Sequence, residues 1–199
     1  MSAPRSQAGA DRPRSAVRSP QALAVFLAVV AVGLAADLLT KHVAFQRLLG
    51  APPTRQHLLA TAPLARQADA PSRALLRQVP SRRLLPGVRI TLSTNPGVVF
   101  GLPMPRWAVA LATAAVVILV GVWFAAAPAG HWPLHVALAL ILGGALGNLY
   151  DRMFSVVALP VEGFAPIQRQ VRDFIDCGQL HYPWIFNVAD MLLVAGAGV

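Results

Sequence analysis

Trp107-Ala-Val-Ala-Leu-Ala-Thr-Ala-Ala-Val-Val-Ile-Leu-Val-Gly-Val-Trp123-Phe-Ala-Ala-Ala127 is a run of 21 residues with no ionisable side chain, and a tryptophan stands near each end. At 1.5 Å per residue, about 20 apolar residues in a helix cross the roughly 30 Å hydrocarbon core of a bilayer, and tryptophans gather at its interfaces. This stretch therefore reads as a transmembrane helix. Working outward, the same window of hydropathy gives three more candidates, over residues 22–39, 133–149 and 185–199. The last, ending at Val199, barely crosses the bilayer, the pattern expected of a trimmed natural sequence.

Composition agrees with lipid as the solvent. Of 199 residues, 56% are hydrophobic and only 13% charged, and the mean hydropathy is +0.57. A single cysteine, Cys177, excludes a disulfide scaffold, and the apolar content excludes a disordered chain. The formal net charge of +9 comes mostly from arginines in polar connecting segments. They lack interleaved aromatics or a nucleic-acid motif, so no nucleic-acid partner is expected and membrane lipid is the expected neighbour of this charge.

The fold class expected is an all-α membrane protein of four transmembrane helices, with a small extramembrane β-rich segment between helices 1 and 2. Residues 1–20, with Arg5, Arg12, Arg14 and Arg18, read as a flexible basic tail, which the positive-inside rule places in the cytoplasm. A cleaved secretory signal is the rival, disfavoured by the three further spans. Residues 21–199 form one domain with two extramembrane parts, 44–106 and the loop 152–184. In the first, Val88-Arg-Ile-Thr-Leu92 alternates as a strand does, whereas residues 52–80 read as a loose insertion.

With four spans in series, the end of span one, the start of span two, the end of span three and the start of span four emerge on one side. Asp37, Asp151, Asp173, Asp176 and Asp190 all fall there, five of the eight acids. An ionisable residue in an apolar span costs about 2.5 to 3.5 kcal/mol on insertion scales, so it points to function by default. Asp190 in Phe186-Asn187-Val-Ala189-Asp190 shares a helix face with Asn187; its alternative use is as an interfacial aspartate capping the helix. Asp37-Leu-Leu-Thr-Lys41 is an i, i+4 ion pair, expected to be structural. In Gly143-Gly-Ala-Leu-Gly147-Asn148-Leu-Tyr-Asp151-Arg152, Gly143 and Gly147 allow a close helix approach, and Asn148 and Arg152 need buried partners. Asn95-Pro-Gly-Val-Val-Phe-Gly101 makes a turn that brings Asn95 to the same end.

Two carboxylates in a low-dielectric site share a proton near neutral pH. One then activates water as a general base while the other protonates the departing amine. Amide hydrolysis without a covalent intermediate follows, with no cofactor. Metal catalysis is disfavoured, because the five histidines lack His-Glu-x-x-His spacing and His131 and His135, though i, i+4, read as interfacial on the opposite face. There is no nucleophile elbow, and Cys177 has no evident activating partner. A small transporter or proton relay is the alternative, but it needs polar groups through the full depth of the bundle.

These four motifs, with Val171-Arg-Asp173-Phe174 as a fifth, occur in the order and at the span ends that resemble the lipoprotein signal peptidases, the signal peptidase II family of bacterial aspartic peptidases. The resemblance covers the chain from about residue 22 to 199. It implies Asp173 and Asp190 as the catalytic pair, with Asp37, Lys41, Asn95, Gly144, Asn148, Arg152, Asn187 and Ala189 as substrate-binding or supporting residues, and Asp151 as a structural partner. Spacing alone does not choose between Asp151 and Asp173. It also implies a bacterial inner-membrane enzyme, with both termini cytoplasmic and an extracytoplasmic site. Its substrate is a diacylglyceryl-modified prolipoprotein cut before the lipobox cysteine, and its inhibitors are of the globomycin type. A monomer is expected, since one bundle supplies every group. Residues 44–106 and 155–170 depart from the family pattern as insertions.

Overall fold

The computed structural model describes residues 15–97 and 105–199. Among the described residues, three helices are long and apolar enough to cross a membrane: α1 (Pro20–Leu49), α4 (Arg106–Ala126) and α5 (Trp132–Phe154). Their outward faces carry Leu27, Val32, Leu111, Ile118, Leu119 and Val122, all exposed. So broad an apolar surface suits lipid rather than water. The fourth helix, α6 (Val188–Ala197), has ten residues and so rises only about 15 Å. The span expected from residue 185 starts later, because Ile185–Phe186 is a strand and Asn187 caps the helix.

Between α1 and α4 lie α2 (Pro52–Ala65), α3 (Pro71–Leu76), β1 (Arg82–Leu85) and β2 (Val88–Asn95). Residues 52–80 are therefore not a loose insertion. Thr54, Leu58, Ala62 and Ala65 repeat at helical spacing and are all buried, and the last three share a core with Phe45 and Leu48, where α1 continues past the bilayer. Pro52 and Pro71 start the two helices in positions where a missing N–H costs nothing. The segment is thus as helical as it is β-rich.

After α5 come β3 (Val156–Val157), β4 (Ile167–Gln168), β5 (Val171–Asp176) and β6 (Ile185–Phe186). The main sheet is antiparallel in the order β1-β2-β5-β6, so its strands come from both extramembrane parts of the chain. Pro86 and Gly87 turn β1 into β2, Gly87 at φ 81°, a conformation that favours glycine. The β3–β4 hairpin lies within the expected 155–170 insertion, and its Val157 and Ile167 join the core of α2 and α3.

A second apolar cluster sits at the other end of α1, α4 and α5, around Phe26, Phe124 and Leu138. It takes in Ala16, fully buried, whose N–H donates to Ala127 O at 2.8 Å. Of the tail expected over residues 1–20, residues 1–14 lie outside the described residues, and 15–20 are built into the fold. His135 is likewise not interfacial. It is fully buried, edge-on to Phe124 and Trp132 with ring centroids 5.2 and 5.6 Å away. Between the two apolar clusters, the polar residues of all the motifs meet.

Candidate active site

The polar centre begins with Lys41. Its ammonium donates to Asp37 Oδ2 at 2.7 Å and to Asn148 Oδ1 at 3.1 Å, and lies 3.3 Å from Asp151 Oδ2. All three charged side chains are 0% exposed. Two buried carboxylates and one ammonium leave a negative excess, and Arg172 offsets it. The guanidinium of Arg172 donates to Asp151 Oδ1 from Nη2 at 2.6 Å and from Nε at 3.0 Å, while its backbone N–H donates to Oδ2 at 2.9 Å. Each carboxylate is thus paired and hydrogen-bonded, the condition under which buried charge is tolerated. Asp37 Oδ1 completes its shell by accepting the backbone N–H of Ala189 at 2.8 Å.

Close helix packing makes these contacts possible. A Cβ on Gly144 would collide with the carbonyl oxygen of Ala189, and one on Gly147 with the Asp37 carboxylate. Gly143 faces α1 with room to spare, since Val30 O lies 3.4 Å from where its Cβ would be. Gly143 and Gly147, expected to form one packing face, both lie against α1, while Gly144 between them lies against α6.

Two amides carry the ion cluster outward to a cleft. Asn148 accepts from Lys41 on Oδ1 and donates from Nδ2 to Asp190 Oδ1 at 2.8 Å. Asn187 donates from Nδ2 to Asp173 Oδ1 at 2.7 Å and to Asn148 Oδ1 at 3.2 Å. The rest of Asn187 forms a capping box: its Oδ1 accepts the Asp190 N–H, and its own N–H donates to Asp190 Oδ2 at 3.2 Å. Asp190 therefore has both uses at once, as a helix cap and as a cleft residue. Asn187 is the N-cap rather than a partner on the same helical face.

Asp173 sits on β5 opposite Ser93 of β2 and is 5% exposed. Burial pushes its carboxyl up to about 7, reinforced by the charge of Asp190 and opposed by the Asn187 hydrogen bond, Lys41 and Arg152. Near neutral pH both its protonated and its ionised forms are therefore populated. Arg152 donates to Asn148 O at 3.2 Å and to Gly97 O at 3.0 Å. Asn95 is half-buried, with Oδ1 accepting the Gly97 N–H at 2.9 Å. Residues 98–101 of its motif lie outside the described residues.

Asn95, Asn148, Arg152, Asp173 and Asp190 line one cleft of about 930 Å³. At one end it runs between Val109 and Val116 of α4 and Leu193 and Val194 of α6, an apolar floor. At the other it spreads over Thr91 and Ser93 of β2, Tyr182 to Phe186, and Arg73 and Arg77. Asp37, Lys41, Gly144, Asn187 and Ala189 stand behind this surface, and Asp151 is turned away from it into the ion cluster. The arrangement suits general acid–base attack of water on an amide reached from the lipid.

A family model described as Signal peptidase (SPase) II matches residues 29–199. The chain belongs to the signal peptidase II family. Among its relatives, the lipoprotein signal peptidase of Teredinibacter turnerae is 40% identical over 95 residues, 47% of this chain and 49% of that one. The lipoprotein signal peptidase of Shewanella sp. is 36% identical over 124 residues (59% and 65%), and that of Desulfitobacterium hafniense 36% over 113 (55% and 64%). The matches thus span about half to two thirds of these curated relatives. A bacterial membrane enzyme solved by the in meso method at 2.3 Å resolution shares the fold, with a TM-score of 0.59 at 22% identity over 88% of this chain and 84% of that one.

Sequence reasoning did not find the cleft's sheet side. Arg73 and Arg77 fall in the segment read as loose, and their placement depends on Leu75 and Leu76 burying in the α2 core. That paired-leucine pattern was the available signal. Nor could spacing show that Asp151 is tied to Arg172, a contact across 21 residues.

Proposed function

We propose that this chain removes the signal peptide from diacylglyceryl-modified prolipoproteins, cutting before the lipobox cysteine, with Asp173 and Asp190 as the catalytic pair. One observation carries the proposal. Two carboxylates from different elements, held by Asn187 and Asn148, share a cleft whose other end is an apolar groove between α4 and α6. A signal helix and acyl chains occupy that groove while the scissile bond stays at the membrane surface.

In the proposed reaction Asp190, both of whose oxygens act as acceptors, takes a proton from water as that water attacks the scissile carbonyl. Asp173 holds the proton that goes to the departing amine as the C–N bond breaks. Asp37, Lys41, Gly144, Asn148, Asn187 and Ala189 position the pair, and Asn95 and Arg152 meet the substrate at the rim. The proposal extends to a fourth span that includes α6, cytoplasmic termini, an extracytoplasmic site in the bacterial inner membrane, a monomeric state, and inhibition by globomycin-type peptides. The polar groups of the site gather at one end of the bundle, which disfavours a transport path.

The test is cleavage of a diacylglyceryl lipobox substrate by the purified full chain in lipid. Native protein is expected to cleave, and Asp173→Asn and Asp190→Asn each to lose at least about a hundredfold of the rate. Retained turnover in either variant removes that residue from the pair, and no cleavage by folded native protein sinks the proposal.

A further inference from the structure

Resting on the peptidase reading, we infer that Arg73 and Arg77 form a specificity subsite for acidic side chains just after the scissile bond. Both line the same cleft as Asp173 and Asp190. Arg73, in the last turn of α3, and Arg77, its C-cap, are i, i+4 and share a face. The fully buried Leu75 and nearly buried Leu76 fix that helix against the core. Arg73 is half-buried and Arg77 exposed. Among the described residues neither guanidinium has a hydrogen-bond or ion-pair partner.

Their position along the cleft selects the part of the substrate they meet. Strand β2 runs from Arg89, paired with Asp176, down to Asn95, paired with Val171 beside the bundle. The cleft takes in Thr91 to Asn95 of β2, but Leu75 and Leu76 beside the two arginines pack in one core with Leu92, on the side of Ser93 away from the spans, and Ser93 lies opposite Asp173. Two residues along a strand are about 7 Å, so an extended substrate rising from the catalytic pair passes them about two to four residues later. The acyl chains run the other way, into the apolar groove.

Charge supplies the preference. Residues 44–106 hold nine arginines and one acid, Asp69. The carboxylate at that end of the sheet, Asp176, already accepts from Thr91 at 3.0 Å and pairs with Arg89 at 3.2 Å. The Gly178 N–H holds it below the usual carboxylate range, so it stays charged and committed. Two uncommitted guanidiniums remain in the path of the mature chain, suited to aspartate or glutamate.

The experiment compares two diacylglyceryl lipobox substrates in zwitterionic bilayers, differing only in acidic or neutral residues at positions two to four of the mature chain. Native protein is expected to favour the acidic one about three- to tenfold in kcat/KM, through KM, with the preference shrinking near 1 M salt. Arg73→Gln with Arg77→Gln should bring the ratio to about one. Arg73→Glu with Arg77→Glu should invert it toward a lysine-bearing substrate, which a merely structural role would not do. Equal native rates on both substrates, or a preference that survives in the double variants, overturn the subsite while leaving the peptidase reading intact. Variants that slow both substrates equally, and only in bilayers containing anionic lipid, assign the arginines to headgroups and overturn it as well. No cleavage of either substrate sinks the peptidase reading and the subsite with it.

Discussion

Asn148 and Asp190 are joined by a 2.8 Å hydrogen bond from the amide nitrogen of one to Oδ1 of the other, while the amide oxygen of Asn148 receives the Lys41 ammonium. Only that orientation of the amide serves both neighbours, since the ammonium needs an acceptor and the carboxylate a donor. A single side chain thus ties the charge cluster in the bundle to a carboxylate in the cleft. Replacing Asn148 with Leu is expected to lower cleavage by about a hundredfold through misplacement of Asp190. A rate within threefold of native, measured on the lipobox substrate, would show that Asp190 does not depend on it.

The protonation of Asp173 sets a pH limit. With its carboxyl near 7, the general acid is present below that pH and is lost above it. The value of kcat/KM is therefore expected to fall about tenfold per unit at pH well above 7. A profile that instead climbs from pH 7 to 9 would assign the proton-donating role elsewhere.

The same shift affects stability, with a definite sign. Asp173 binds its proton more tightly folded than unfolded, because its folded value of about 7 exceeds the ordinary 3.8. Its contribution is most favourable below about pH 4 and declines as the pH rises to about 7. Asp173→Asn keeps an acceptor for Asn187 and removes the buried charge, so it should stabilise the fold at pH 8 by up to about 4 kcal/mol. Thermal unfolding of both proteins at pH 5 and pH 8 checks this. A variant less stable than native at pH 8 contradicts it.

Lys41→Met should be among the most damaging changes. It leaves Asp37 and Asp151 facing one another with their shared cation gone and no solvent access, a loss of about 3 to 5 kcal/mol. Adding Asp37→Asn should recover part of that loss. Unfolding midpoints of the single and double variants, measured side by side, decide whether the coupling exists.

Gly144 and Gly143 should respond differently although they are adjacent. A Cβ at Gly144 meets the Ala189 carbonyl and the Leu193 side chain, whereas at Gly143 the nearest atom, Val30 O, is 3.4 Å away. Gly144→Ala is expected to push α6 off α5, move Asp190 and cost at least about tenfold in cleavage rate. Gly143→Ala should remain close to native. Equal activity of the two variants would mean that the α5–α6 approach does not position the pair.

The sequence by itself determined the solvent, three of the four expected spans and the end of the bundle where the polar residues gather. Charge-free runs such as residues 107–127 have few alternatives in lipid, where backbone groups must pair within the helix. Connectivity then forces Asp37, Asp151, Asp173 and Asp190 to one side whatever the details. Local spacing also revealed the Asp37–Lys41 pair and the strand at Val88–Leu92, which the structure extends to Asn95, because i, i+4 and i, i+2 are properties of a single element. Tertiary structure alone decided which acids face the cleft. Asp151 and Asp173 look alike in sequence, but Arg172 and Lys41 hold the first in the bundle, while the antiparallel register with β2 and the Asn187 amide present the second. It also turned residues 52–80 from an apparent loose segment into packed helices. The small apolar faces of Leu58, Leu75 and Leu76 become decisive only when Phe45, Val157 and Ile167, distant in the chain, close over them. Burial and pairing across long separations depend on all the surrounding elements together, so no local window of the chain contains them.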